Sequence, residues 1–241
     1  MRDGEIDEVL EKAARVPYEV KPTLLYGIAE SIRSSLSPVR PLRPTWQLTS
    51  GLVLICAAVG LAGAARAGFF GIEKMGLLER VLIFSVLGIL AWVVGEEFVR
   101  ELIPGSRHRM SPGMFLGIAS LTLLGVFALV FHDYQTDHFV SAGIACLLTG
   151  LLHAIPAAFA FWLLLRRGFA VNPVALGLVG GALAGLAGVT MLELHCANFQ
   201  ALHVLVWHTA VVPVSSGLGA WAGRVVLYRK ASGAYKHATP D

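Results

Sequence analysis

The stretch ALGLVGGALAGLAGV, Ala175 to Val189, contains no polar side chain and repeats small residues at close to every fourth place. Extended to Val174–Leu192, it approaches the roughly 20 apolar residues that a helix needs to cross about 30 Å of hydrocarbon. Within it, Gly177, Gly181, Gly185 and Gly188 let a neighbouring helix approach closely. A helix-packing face is the expectation there, in preference to a ligand pocket.

Working outward, five more stretches meet the same length criterion: Trp46–Ala65, Leu77–Gly95, Met114–Phe131, Val140–Leu165 and His203–Val226. A β-barrel would alternate polar and apolar residues in much shorter segments, so all six read as helices. Composition agrees. With 56% hydrophobic and 15% charged residues and a mean hydropathy of +0.68, the chain is too apolar for a soluble globule of this length. The expected fold is all-α: a polytopic membrane protein with six transmembrane helices and a short, helical, cytoplasmic N-terminal tail. Residues 1–45 form the tail, 46–227 the membrane domain and 228–241 a cytoplasmic C-terminal tail. The first 45 residues contain no long apolar run, so no cleavable signal peptide is expected.

Lys and Arg set the orientation. The tail, the 2–3 loop, the 4–5 loop and the C-terminus carry 16 of the 19, while the 3–4 and 5–6 loops carry none. The 1–2 region holds the other three, Arg66, Lys74 and Arg80, and by the positive-inside rule both termini are cytoplasmic and the two loops without Lys or Arg face outward.

Those outward loops border the unusual chemistry. On the C-terminal side of the opening stretch the chain continues LELHCANFQALHVLVWH, Leu192 to His208. Six of the eight histidines, His132, His138, His153, His195, His203 and His208, lie in the 3–4 and 5–6 loops or in the helices they join. Asp133 and Cys196 lie in the loops, and Cys146 is about 9 Å of helix in from the same side. Imidazole, thiolate and carboxylate groups suit a soft transition-metal ion at this face, although no CxxC or HExxH spacing is present to name four ligands. Each group also has a packing alternative. His203 and His208, five apart, are about 140° apart around an α-helix and make a poor chelating pair. His153 is placed to satisfy a carbonyl freed by Pro156. Trp207 reads as an interface anchor, and Cys56 as a small packing residue. A Cys146–Cys196 disulfide requires Cα atoms within about 7 Å.

The tail is amphipathic. In EIDEVLEKAARV, Ile6, Val9 and Leu10 follow helical spacing, and in TLLYGIAESIRSSL, Leu24, Leu25, Ile28 and Ile32 share a face. Two short amphipathic helices without a core of their own need a partner. Docking on an anionic leaflet is disfavoured by Asp3, Glu5, Asp7, Glu8 and Glu11. Helix-in-groove binding to a cytoplasmic protein is the better account.

The junction LSPVRPLRPTW at Leu36–Trp46, the six spans, Cys146 early in the fourth, the pair Arg166–Arg167 closing it, and LHC before the sixth together resemble the NrsF-type anti-sigma factors. These are negative regulators of an extracytoplasmic-function sigma factor in bacteria. The resemblance runs from about Leu36 onward. It implies an inner-membrane protein whose cytoplasmic N-terminal segment sequesters a sigma factor, and in which Cys146 and Cys196 are periplasmic cysteines that sense metal or oxidant stress. The family pattern often has proline after the second cysteine, where this chain has Ala197. The tail carries no motif that identifies the sigma partner.

Two rival classes are a haem- or metal-binding membrane oxidoreductase subunit and a metal-ion transporter. The first is weakened by depth, since His153 is about 20 Å along the fourth span and His208 about 8 Å along the sixth. The second calls for polar groups near the midplane, where only His153 is available. With no hydrolase triad, phosphate loop or nucleic-acid-reading motif in the sequence, the expected protein is not an enzyme and does not bind nucleic acid directly.

Overall fold

A computed structural model describes residues 11–12, 22–35, 43–103, 105–106, 110–165 and 172–238. The chain divides into two compact units, residues 1–42 and 43–241. The expected tail positions Ile6, Val9 and Leu10, the pair Arg166–Arg167 and most of the Leu36–Trp46 junction lie outside the described residues.

In the first unit α1 runs Pro22–Ser35. Its apolar residues Leu25, Ile28 and Ile32 are about half exposed; the side chain of Leu24 is not among those described.

Among the described residues of the second unit the regular secondary structure is helical, apart from an isolated bridge between Asp133 and Gln200. It comprises α2 (Thr45–Ala67), a short α3 (Phe70–Lys74), α4 (Leu77–Glu101), α5 (Pro112–Val130), α6 (Phe139–Leu165) and α7 (Pro173–His195). The last helix, α8, begins at Ala201–His203, passes through a π-helical turn at Val204–His208 and continues as Thr209–Ala238. Six of these are long and apolar enough to span a bilayer: α2, α4, α5, α6, α7 and the Ala201–Val226 part of α8. The protein is a multi-pass membrane protein, and the helix starts follow from local chemistry. Asn172 accepts hydrogen bonds from the backbone N–H groups of Val174 and Ala175, and Ser111 accepts one from Met114, each with a proline at the first helical position.

The opening stretch lies in α7, which occupies the centre: 61% of its apolar window is buried, against 22–33% for α2, α4, α5 and α6. Its small residues explain that position. A side chain added at Gly177, Gly181 or Gly185 would collide with α8 at Gly219, Ser215 or Val212, and one at Gly188 with the Gly150 carbonyl of α6. The two helices therefore meet backbone to backbone, with dispersion contacts that larger residues would forfeit. Three hydroxyls of α7 and α8 are satisfied within their own helix. Ser215 donates to Val211 O, Ser216 to Val212 O and Thr190 to Leu186 O.

Candidate functional site

The α7–α8 connection, Cys196 to Gln200, is held from two sides. His195 Nδ1 lies 3.0 Å from the carbonyl oxygen of Gly68, its ring packs 5.8 Å from that of Phe70, and Lys74 Nζ donates to Ala197 O at 3.4 Å. Gly71 of α3 seats against the carbonyls of Glu193 and Cys196, where a Cβ would not fit. From the other side Ala201 N donates to Asp133 O, and Phe199 stacks on Phe131 with centroids 5.3 Å apart. The loop is thus fixed, and with it Cys196, which caps α7 through its N–H to Leu192 O at 2.7 Å.

Four sequence-expected residues come together here. Cys146 Sγ lies 3.5 Å from Cys196 Sγ, and Cys196 Sγ lies 3.7 Å from His203 Nε2. One donor atom each from Cys146, Cys196, His203 and His208 falls within 4.8 Å of every other. Cys196, His203 and His208 are buried, while Cys146 is half-buried beside a cavity of about 410 Å³ lined also by Phe70, Ala142 and Thr149. All three cysteines are free thiols in this structure. Cys196, just beyond the α7 span, has its thiol pKa raised, first by its hydrogen bond with Cys146 and then by burial; His203 and His208 oppose that rise.

The pairing of His203 with His208 corrects the expectation from α-helical geometry. The five residues from Val204 to His208 form a π turn, so the 140° separation does not apply. A π turn closes i→i+5 bonds, and so brings residues five apart closer to one side of the helix than an α-helix does. The two imidazoles accordingly face each other with centroids 5.3 Å apart in an edge-on arrangement.

Glu193 is the residue that sequence reasoning left without a role. Its Oε1 accepts a 2.6 Å hydrogen bond from His208 Nδ1, and both side chains are fully enclosed. The sequence did contain a signal, a carboxylate at the end of an otherwise apolar span, where an ionisable residue is functional by default.

The remaining expected ligands are engaged elsewhere. His195 bonds Gly68 as described. His132 Nδ1 lies 3.2 Å from Val130 O, and Asp133 Oδ1 accepts from Gln135 N in a local turn. His138 adopts a left-handed backbone, φ 54°, and its carbonyl accepts from Ala142 N and Ser141 Oγ at the start of α6. His153 Nδ1 lies 2.9 Å from Thr149 O, not from the Leu152 carbonyl that Pro156 deprives of a partner, and its ring fills the notch at Gly63 of α2. Trp207 packs into the notch at Gly143 and against Phe139, and so joins α8 to α6.

A family model described as NrsF, negative regulator of sigma F, matches residues 33–228. No curated protein matches the chain, and no solved structure does.

Proposed function

The chain belongs to the NrsF family of negative regulators of sigma F, and from that premise we propose that it is an anti-sigma factor of the bacterial inner membrane with both termini in the cytoplasm. Residues 1–45 hold an extracytoplasmic-function sigma factor through the faces of Ile6, Val9 and Leu10 and of Leu24, Leu25, Ile28 and Ile32. Cys146 and Cys196, on the periplasmic side, respond to an oxidant or a thiophilic metal and loosen that hold.

The observation that carries this reading is the 3.5 Å approach of the two thiols at the membrane face where the 3–4 and 5–6 loops carry no Lys or Arg. A peroxide, by accepting two electrons from the pair, would form the S–S bond and leave as water with the two thiol protons. A soft metal would instead displace those protons. Either event acts where α6 meets the α7–α8 turn. The glycine seam then transmits it, because helices in backbone contact move together and do not deform locally. A coupling of about 1–3 kcal/mol releases the partner about 5- to 150-fold more readily.

The test is a reporter gene read by the released sigma factor in cells carrying wild type or the C146S/C196S variant. The variant is expected to repress normally and to lose induction by cadmium or peroxide. Normal induction in the variant would reduce the cysteines to packing residues.

A further inference from the structure

We propose that Cys146, Cys196, His203 and His208 form a closed, four-coordinate site for one thiophilic divalent ion of the zinc type, with Glu193 as the residue that positions His208. The inference deepens the sensing role given to the cysteines and rests on it for its biological purpose.

Geometry is the first support. Bonds of about 2.3 Å to sulfur and about 2.0 Å to nitrogen give a tetrahedron with edges of about 3.3–3.8 Å. The observed Sγ–Sγ and Sγ–Nε2 separations, 3.5 and 3.7 Å, fall on those edges. With all four donors within 4.8 Å, the longest edge, which involves an imidazole nitrogen, needs to contract by up to about 1.5 Å.

The π turn is the second. An uninterrupted α-helix would turn His208 away from His203, and the less favourable hydrogen bonding of a π turn is characteristically retained at functional sites. The third is the wiring of His208. Its Nδ1–H donates to Glu193, which fixes the tautomer with the Nε2 lone pair free; that Nε2 is buried without a hydrogen-bond partner. A carboxylate behind a ligating imidazole is the usual means of orienting such a ligand.

Charge is the fourth. Binding a divalent ion sends two thiol protons to water and leaves two thiolates and two neutral imidazoles around it, an inner shell with no net charge. At the end of a membrane span, a neutral shell avoids the solvation cost that a four-thiolate site would incur. The cavity beside Cys146, Cys196 and His203 gives the ion a way in.

The test uses full-length protein in detergent, reduced and stripped of metal, titrated with Co²⁺ and then with Zn²⁺. Wild type is expected to bind one Co²⁺ per chain, with visible bands of tetrahedral intensity and a thiolate-to-cobalt charge-transfer band, both lost on adding Zn²⁺. H203A and H208Q are expected to lose the tetrahedral bands. E193L is expected to keep the stoichiometry but to weaken Co²⁺ affinity about 10- to 100-fold, with E193Q, which retains an acceptor oxygen, nearer to wild type. Size-exclusion profiles identify any variant that fails to fold, and the wild-type stoichiometry and spectrum decide the site without it. Absence of stoichiometric binding, or an octahedral spectrum, overturns the site. Unchanged spectra in H203A and H208Q overturn the histidine ligands, and equal affinities in wild type, E193Q and E193L overturn the role of Glu193. If wild type binds no metal while C146S/C196S still loses induction, the sensing role stands and the metal site falls. If wild type binds metal while that variant induces normally, the site stands and the sensing role falls.

Discussion

A side chain at Gly219 would fall on the carbonyl oxygen of Gly177, and one at Gly177 on the carbonyl oxygen of Gly219, so α7 and α8 touch through bare backbone at this level. Gly219→Val should therefore force the helices apart. The expected loss is about 1–3 kcal/mol, the usual cost of overpacking. Gly217, two residues earlier on α8, has open space where a Cβ would stand. Thermal unfolding in detergent should show a clearly lowered Tm for Gly219→Val and a near wild-type Tm for Gly217→Val; equal values would mean that the seam is looser than described.

The thiol geometry makes a prediction about labelling. The Sγ atoms of Cys146 and Cys196 are in contact, whereas Cys56 is 4% exposed and directs its thiol to Leu183 O. After treatment with diamide, denatured protein should take up maleimide at Cys56 alone, with Cys146 and Cys196 recovered as a linked peptide by mass spectrometry. Uptake at all three cysteines would show that the pair does not close.

For the tail, Ile28→Asp changes a residue that is 48% exposed in α1, so it should leave the membrane domain intact. If α1 inserts into a groove on a sigma factor, the buried unpaired charge should weaken co-purification by about 2 kcal/mol or more. Undiminished binding would move the contact away from this face.

Orientation is tested by fusions. A reporter active only in the periplasm should be active after Ala197 and silent after Lys236, as the distribution of Lys and Arg requires. The reverse pattern would put the thiol pair on the cytoplasmic side and remove the basis for periplasmic sensing.

The spans were legible because apolar runs of the right length are separated by polar loops. Expected Leu77–Gly95 became Leu77–Glu101, and expected Val140–Leu165 became Phe139–Leu165. The glycine face was legible too, since close approach needs only the spacing of small residues. The site was readable in its residue types but not in its assembly. His203 and His208 were judged on a 3.6-residue period, and the π turn replaced that period locally. Pro213 was the available hint, because a proline within a helix disturbs the turn before it. Which histidines join the thiols was settled by tertiary contacts such as Gly68 with His195 and Glu193 with His208, partners separated in sequence by loops or helices.

The central position of α7 also has a consequence for biogenesis. Chain order delivers the surrounding helices α2, α4, α5 and α6 to the bilayer before the helix they enclose, and α8 last. The early helices thus precede the contacts they make with α7, such as Gly150 with Gly188. Cys146 is inserted while Cys196, His203 and His208 are still unmade, so the four-residue cluster comes into being only as synthesis nears its close. A nascent chain stalled after α6 would hold Cys146 without its three partners.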